Sequence, residues 1–200
     1  MAKNHIISMR STLDFLKKQG DLITVKNEVD PIYEIAGIQK ALEGGPALLF
    51  EKIKGYPGVR NVGNVFARRE AIARMFGEED FRKLKFRLVE ALRNPIPSKL
   101  VNDAPCQEEI ITGDIDVLAT LPVLKHTERD AGRILGGGNL FVGGKYFQGG
   151  SHISFNRTFF RGKDWATVMA GPPTHLGVVL FAEHRREKVP TTINICTPPA

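Results

Sequence analysis

Arg93-Asn94-Pro95-Ile96-Pro97 divides this 200-residue sequence into two parts of different character, and its reading decides the fold. Pro95 biases the residue before it away from helical backbone, so a helix arriving from upstream ends here. That helix is expected over Phe81–Arg93, with Phe81, Leu84, Leu88 and Leu92 on one stripe. Downstream, helical spacing gives way to extended segments rich in glycine, expected at Ile110–Thr112, Asn139–Val142, Lys145–Phe147, Ile153–Phe160 and Trp165–Met169. A domain boundary is therefore placed within 95–110, with one unit over 1–105 and a second over 106–200.

Working back from the divide, Ser11 followed by Asp14 reads as a capping box for a short helix through Leu13 and Leu16 that stops at Gly20. Leu22–Val25 is a strand. Asp30-Pro31 has the form of a helix start, carrying Ile35, Ile38 and Leu42 on one face and ending at Gly44-Gly45. Ala47–Phe50 is a short buried strand, Arg60–Phe66 pairs with it or lies nearby, and a helix over Arg69–Phe76 stops at Gly77. Working forward, a helix over Leu176–Lys188 interrupts an antiparallel β region whose last strand is Thr191–Ile195. The fold class is thus α+β: an N-terminal α/β domain, then a β domain. That last strand would leave an unpaired edge, so the chain is expected to continue past Ala200.

Apolar residues at 42% and charged residues at 25% are ordinary values for a soluble globular chain, and this length buries a sizeable core. The N-terminus lacks an apolar run of signal-peptide length, and no stretch approaches the ~20 apolar residues that span a bilayer. A cytoplasmic protein without membrane contact is expected. Cys106 and Cys196 are far apart without metal-ligand spacing, as free thiols in a reducing compartment are. The net charge of +6 is interleaved with Leu, Phe and Glu, which suits solvated helix faces. No aromatic stacking pattern with interleaved basic residues accompanies it, so nucleic acid is not an expected partner.

Chemistry concentrates in Gly132–Arg161, which holds eight glycines and His152. Glycines so dense within strands mark a close approach to backbone, either by a phosphate cradled on N–H groups or by tight hairpin turns. Asn156 offers a neutral oxygen suited to a hard cation, and Arg161 a permanent forked charge for a carboxylate. His175 follows Pro172-Pro173-Thr174 at a helix start, where Thr174 can cap. It can join Asn156 around a metal or stand in water as a first-turn residue, and His126 is ambiguous in the same way. The motifs HExxH, CxxC, the P-loop and the Gly-x-Ser-x-Gly elbow are absent from the sequence.

These residues resemble the UbiD family of decarboxylases, which use prenylated FMN, and the resemblance covers nearly the whole sequence. It is carried by Leu13-Asp-Phe-Leu, Gly20-Asp-Leu, Val25, Glu28-Val-Asp-Pro31 and Glu34-Ile, then Gly45-Pro-Ala-Leu-Leu-Phe50-Glu and Lys54-Gly55. Leu121-Pro, His126, Glu128 and Asp130-Ala-Gly132-Arg133 continue it into the family's flavin-binding domain. The resemblance implies that the second unit is part of a flavin-reductase-like split β-barrel. It implies that Asn156 and His175 ligate a divalent metal, usually manganese, at the flavin phosphate, with potassium nearby. Thr158, Phe159, Phe160 and Thr174 would contact the cofactor, and Arg161 would sit beside the flavin in the acid–base network. The implied activity is decarboxylation, reversible in some members, of an aromatic or α,β-unsaturated carboxylic acid. The modified flavin holds the electron pair that side chains cannot. A flavin prenyltransferase would supply the cofactor, and a homo-oligomer or partner subunit is expected. The spacing from Asn156 to His175 is shorter than in the better-known members. A third metal ligand and two further glutamates are expected from segments beyond Ala200. A chain of this length alone is expected to be inactive, the second possibility being a non-catalytic subunit that completes a flavin site with a partner chain.

Overall fold

The structure is a computed structural model that describes residues 6–97, 99–142, 151–171, 174–178 and 187–197. Its first part alternates helix and strand. Helix α1 (Met9–Lys18) leads to β1 (Leu22–Val29), α2 (Glu34–Ala41), β2 (Ala47–Ile53), β3 (Asn61–Gly63), α3 (Arg69–Met75) and α4 (Phe81–Arg93). Strand β1 pairs parallel with β2, which the intervening α2 makes possible, and β3 returns antiparallel to β2. The pleat of β2 sends alternate side chains to opposite faces. Leu48 and Phe50 meet Ile35 of α2 together with Val29, Ile53 and Tyr56. Ala47 meets Leu16 of α1 with Ala71 and Met75 of α3. The sheet is thereby covered on both sides, as expected of an α/β unit. Beneath it, the buried Asp21 carboxylate receives Arg68 Nη1 at 2.7 Å and also pairs with Arg74.

Local capping departs from the sequence expectation in two places. Helix α1 is capped by Ser8, with Ser11 as its reciprocal partner, rather than by Ser11 with Asp14. The Ser11 hydroxyl reaches back to the Ser8 amide at 3.0 Å, which satisfies the first free donors one turn early. Asp30-Pro31 does not start α2. Asp30 Oδ1 accepts from the Ile32 amide at 2.8 Å and closes a turn. Tyr33 then takes a φ of 72° before the helix begins at Glu34. The tertiary contact that holds this detour is parallel bridging of Ile32 to Lys125, with Tyr33 N donating to Lys125 O at 2.8 Å. At the other end of α1, Gly20 has a φ of +72°, the left-handed turn expected of a C-terminal glycine.

Beyond Pro97 come a 3-10 turn at Pro105–Gln107, the short helix α5 (Val117–Thr120), and strands β4 (Arg133–Leu135), β5 (Asn139–Val142), β6 (His152–Phe155), β7 (Thr158–Phe160) and β8 (Ala166–Val168). Helix α6 (His175–Val178) and β9 (Thr191–Asn194) follow. The strands form two antiparallel sheets, β4-β7-β8 and β6-β5-β9. Among the described residues no sheet closes into a barrel. Ile110–Thr112 is not a strand, because its isoleucines are exposed and face no partner edge. The single extended segment expected over Ile153–Phe160 is two strands in different sheets, parted at Asn156-Arg157. The strand expected at 145–147 and most of the helix expected over 176–188 lie outside the described residues. No helix among the described residues is long and apolar enough to cross a membrane.

The second part is tied to the first by a strap at 121–125. Leu124 enters the core of Val29, Leu48 and Phe50, and the Lys125 amide donates to Pro31 O at 3.1 Å. Tyr56 Oη bonds Leu118 O and accepts from Arg133 Nη1.

Candidate functional site

The parting at Asn156-Arg157 is where the two later sheets meet, and it fixes the Asn156 side chain at both ends. Its Oδ1 accepts from Ser154 Oγ at 2.6 Å, and its Nδ2 donates to Met169 O at 3.0 Å. Ser154 belongs to β6 and Met169 follows β8, so the amide spans from one sheet to the other. Its two partners also decide which end is oxygen. Met169 N donates back to Arg157 O at 3.3 Å and closes the junction.

Strand β7 leaves this junction with Thr158 and Phe160 buried on one face and Phe159 half-buried on the other. Thr158 and Phe160 line a cavity of 370 Å³ whose remaining wall is mostly apolar, including Leu121, Leu135, Trp165 and Ile193. The Thr158 hydroxyl is buried with no hydrogen-bond partner among the described residues. Such a group carries a desolvation penalty of about 1–3 kcal/mol until something pairs with it. Arg161 stands at the far end of β7, roughly 16 Å along an extended chain from Asn156. It is exposed, and its Nη1 donates to Ala131 O at 2.9 Å.

Thr174 and His175 enter from the other side. Thr174 Oγ1 donates to Gly171 O at 2.7 Å and accepts from Gly177 N at 3.0 Å, which ties the first turn of α6 into a knot. The backbones pass so closely there that a Cβ on Gly177 would lie 1.9 Å from Gly171 O. Leu176 is buried against Leu140 and Val142 of β5. This packing lays α6 over the face of β5, and the cross-strand neighbour of Val142 is His152. His152 and His175 meet as a result, with ring centroids 5.2 Å apart and planes at 80°. Burial, and then the charge of His175, hold the His152 imidazole below its ordinary range.

The expected site residues therefore fall into distinct neighbourhoods. Asn156 is locked at the sheet junction, Thr158 and Phe160 face the cavity, Phe159 faces away from it, and Arg161 is held on Ala131. Thr174 and His175 lie on α6. Pro172 and Pro173 of the motif lie outside the described residues. His152 was not among the expected site residues, although a signal was available. His152, Ser154 and Asn156 alternate along one strand face, and the first two are half-buried while Ile153 and Phe155 are exposed. Among the described residues no group of three or more His, Cys, Asp or Glu could hold a metal ion. The donors this chain offers, an amide oxygen and an imidazole, fit a divalent cation in kind. The remaining coordination positions of such an ion would be filled by phosphate, water or other groups.

Known proteins match both parts of the chain. The model of the 3-octaprenyl-4-hydroxybenzoate carboxy-lyase N-terminal domain matches residues 13–88, and that of the Rift-related domain of the same enzyme matches residues 99–200. A gallate decarboxylase of Lactiplantibacillus plantarum is 30% identical over 194 residues, covering 86% of this chain and 38% of that protein. A phenolic acid decarboxylase of Sedimentibacter hydroxybenzoicus is 35% identical over 134 residues, covering 62% of this chain and 28% of its own length. The UbiD-class enzyme HmfF of Pelotomaculum thermopropionicum, solved in complex with FMN, superposes with a TM-score of 0.88 at 32% identity over 96% of this chain and 43% of that one. An evolved dimeric form of the same enzyme, solved with prFMN, superposes equally well. The chain spans less than half the length of these relatives.

Proposed function

The chain belongs to the UbiD family of carboxy-lyases, and from that premise we propose that the intact protein is a prenylated-FMN-dependent decarboxylase of aromatic or α,β-unsaturated carboxylic acids. The observation that carries this reading is the Asn156 amide, pinned by Ser154 and Met169 where the two later sheets meet. An amide so oriented presents a fixed oxygen rather than a mobile surface group. In this reading residues 1–105 are the supporting domain and 106–200 contribute to the flavin domain. Asn156 and His175, which stand in different neighbourhoods of the chain, would be brought together by a divalent ion, manganese in preference, at the flavin phosphate, with potassium close by. Thr158 supplies a hydroxyl whose partner the bound cofactor provides, and Phe159, Phe160 and Thr174 line the same region. A flavin prenyltransferase supplies the cofactor, and the protein works as an oligomer in the cytoplasm.

The bound flavin supplies the electron sink that decarboxylation needs. The work of this chain is to bind and orient. Arg161, permanently charged and forked, orients the substrate carboxylate. To do so its guanidinium gives up, or shares, the hydrogen bond to Ala131 O. It also lowers the pKa of any neighbouring carboxyl group.

In the intact protein, Asn156→Ala and His175→Ala are expected to abolish retention of manganese and flavin, read by metal analysis and flavin absorbance. Arg161→Ala is expected to keep flavin while kcat falls roughly 10²–10³-fold, the scale of losing one transition-state contact. Full cofactor occupancy in the first two variants sinks the ligand assignment, and a normal rate in the third removes Arg161 from the mechanism. A second reading, a subunit that binds flavin without turnover until a partner completes the site, is favoured if flavin binds and no added acid is consumed.

A further inference from the structure

Resting on the reading of Arg161 as the group that orients the substrate carboxylate, we propose that Tyr56 and Arg133 are positioning residues for it. They act from the first part of the chain through the Ala131 carbonyl.

The path runs through named contacts. Tyr56 is 8% exposed and packs in the core of Val29, Leu48 and Phe50, so its ring is fixed and its hydroxyl is the polar tip. A phenol carries one hydrogen. Here it goes to Leu118 O, and the oxygen accepts in turn from Arg133 Nη1. Arg133 opens β4 and pairs with Phe160 of β7. The next residue, Ile134, donates its amide to Leu124 O at 2.7 Å, on the strap that enters the same core. The preceding residue, Gly132, comes so near β7 that a Cβ there would lie 2.6 Å from Phe160 O. A close backbone approach of this kind is a position for glycine alone. Residues 131–134 are thus gripped by a side chain, an amide and a backbone contact. Ala131 O, at the head of that segment, receives Arg161 Nη1 at 2.9 Å. The Arg161 amide donates to Trp165 O at 3.2 Å, which fixes the other end of the same residue.

An exposed arginine otherwise spreads over many rotamers, and ordering it on binding opposes the binding. A guanidinium has five N–H donors, and the contact with Ala131 occupies only Nη1. The Nε–Nη2 edge, two parallel donors, remains for a carboxylate. The carbonyl therefore aims Arg161 without blocking it, and Tyr56 and Arg133 hold the carbonyl.

The test uses the intact, flavin-loaded protein, with benzoate as the carboxylate probe and its Kd measured by calorimetry. Tyr56→Phe keeps the ring in the core and removes only the oxygen, and Arg133→Met breaks the same link from the other side. Each is expected to keep flavin and to weaken benzoate binding about five-fold, the scale of ordering one rotamer-rich side chain. In an Arg161→Ala background neither change is expected to weaken binding further, a non-additivity that a merely structural role does not produce. A crystal structure of Tyr56→Phe is expected to show Arg161 away from Ala131 O or in more than one conformer. A five-fold loss that persists in Arg161→Ala, or an Arg161 unmoved in that crystal, overturns the proposal. If Arg161→Ala binds benzoate as the parent does, or the parent binds none, the decarboxylase reading of Arg161 fails instead. The crystal still decides whether Tyr56 sets its position.

Discussion

Sheet β1-β2-β3 and the two sheets that follow it have three strands each, yet they are held together differently. The first has helices on both faces, and Leu48, Ile35 and Phe50 are fully buried between them. The later pair borders a half-open pocket of 370 Å³, and every residue of β9 is exposed. Phe155, Trp165 and Met169 are 74%, 57% and 63% exposed. The residues of the candidate site all belong to this second, thinly covered part. The contrast suggests that the first region is a footing stabilised by its own burial, whereas the second gains much of its order from what it binds.

The sharpest challenge to that contrast is Phe50→Ala. Emptying a fully buried aromatic position costs about 3–5 kcal/mol, and urea unfolding of the whole protein should show it. A loss below 1 kcal/mol would mean that the first sheet is not the footing. Leu140→Ala, in the small core with Val142 and Leu176, is expected to cost about 2 kcal/mol, the low end for such a change, because a thin cluster collapses more easily. Equal losses at the two positions would erase the distinction. Thr158→Val removes the orphaned hydroxyl and should raise the stability of the ligand-free protein by about 1 kcal/mol in a thermal melt, while weakening flavin retention. A fall in stability would show that the hydroxyl is already satisfied.

The smallest effect belongs to Asp30, at the turn that docks the strap. Its carboxyl is held below the usual 3.8 by the Ile32 amide first and by Lys54 second. A depressed folded-state pKa gives stability that is whole above about pH 3.8 and is lost as pH falls through the lower folded-state value. Asp30→Asn should flatten the acid limb of a stability–pH curve. An unchanged limb would mean that the pairing adds nothing.

Where local signals are sufficient, sequence and structure agree. Helix α4 runs from Phe81 to Arg93 as expected, because Asp80 caps it and Asn94-Pro95 stops it. The stripe on α4 was less informative about burial. Leu84 is buried, whereas Leu92 is 82% exposed. Periodicity states which side is apolar, not whether anything covers it. The start of α2 was illegible for another reason: Tyr33 is held at positive φ by a bridge to Lys125, a partner some ninety residues away in sequence. Residue type and spacing single out Asn156 and Arg161 as candidates. That a sheet boundary falls between them is not legible, since nothing local distinguishes a bend from a change of partner. The meeting of His152 with His175 depends on how α6 folds over β5, and strand alternation supplies only one half of it.

The contact of Gly177 with Gly171 bears on anyone who would transplant this histidine pair into another scaffold. The imidazoles and the strand that carries His152 are portable, but the angle of approach is written in a spot with no room for a methyl group. A graft that copies both histidines and substitutes alanine for that glycine would inherit the imidazoles without their mutual angle. The smallest side chain in the turn is thus the part a designer should copy first.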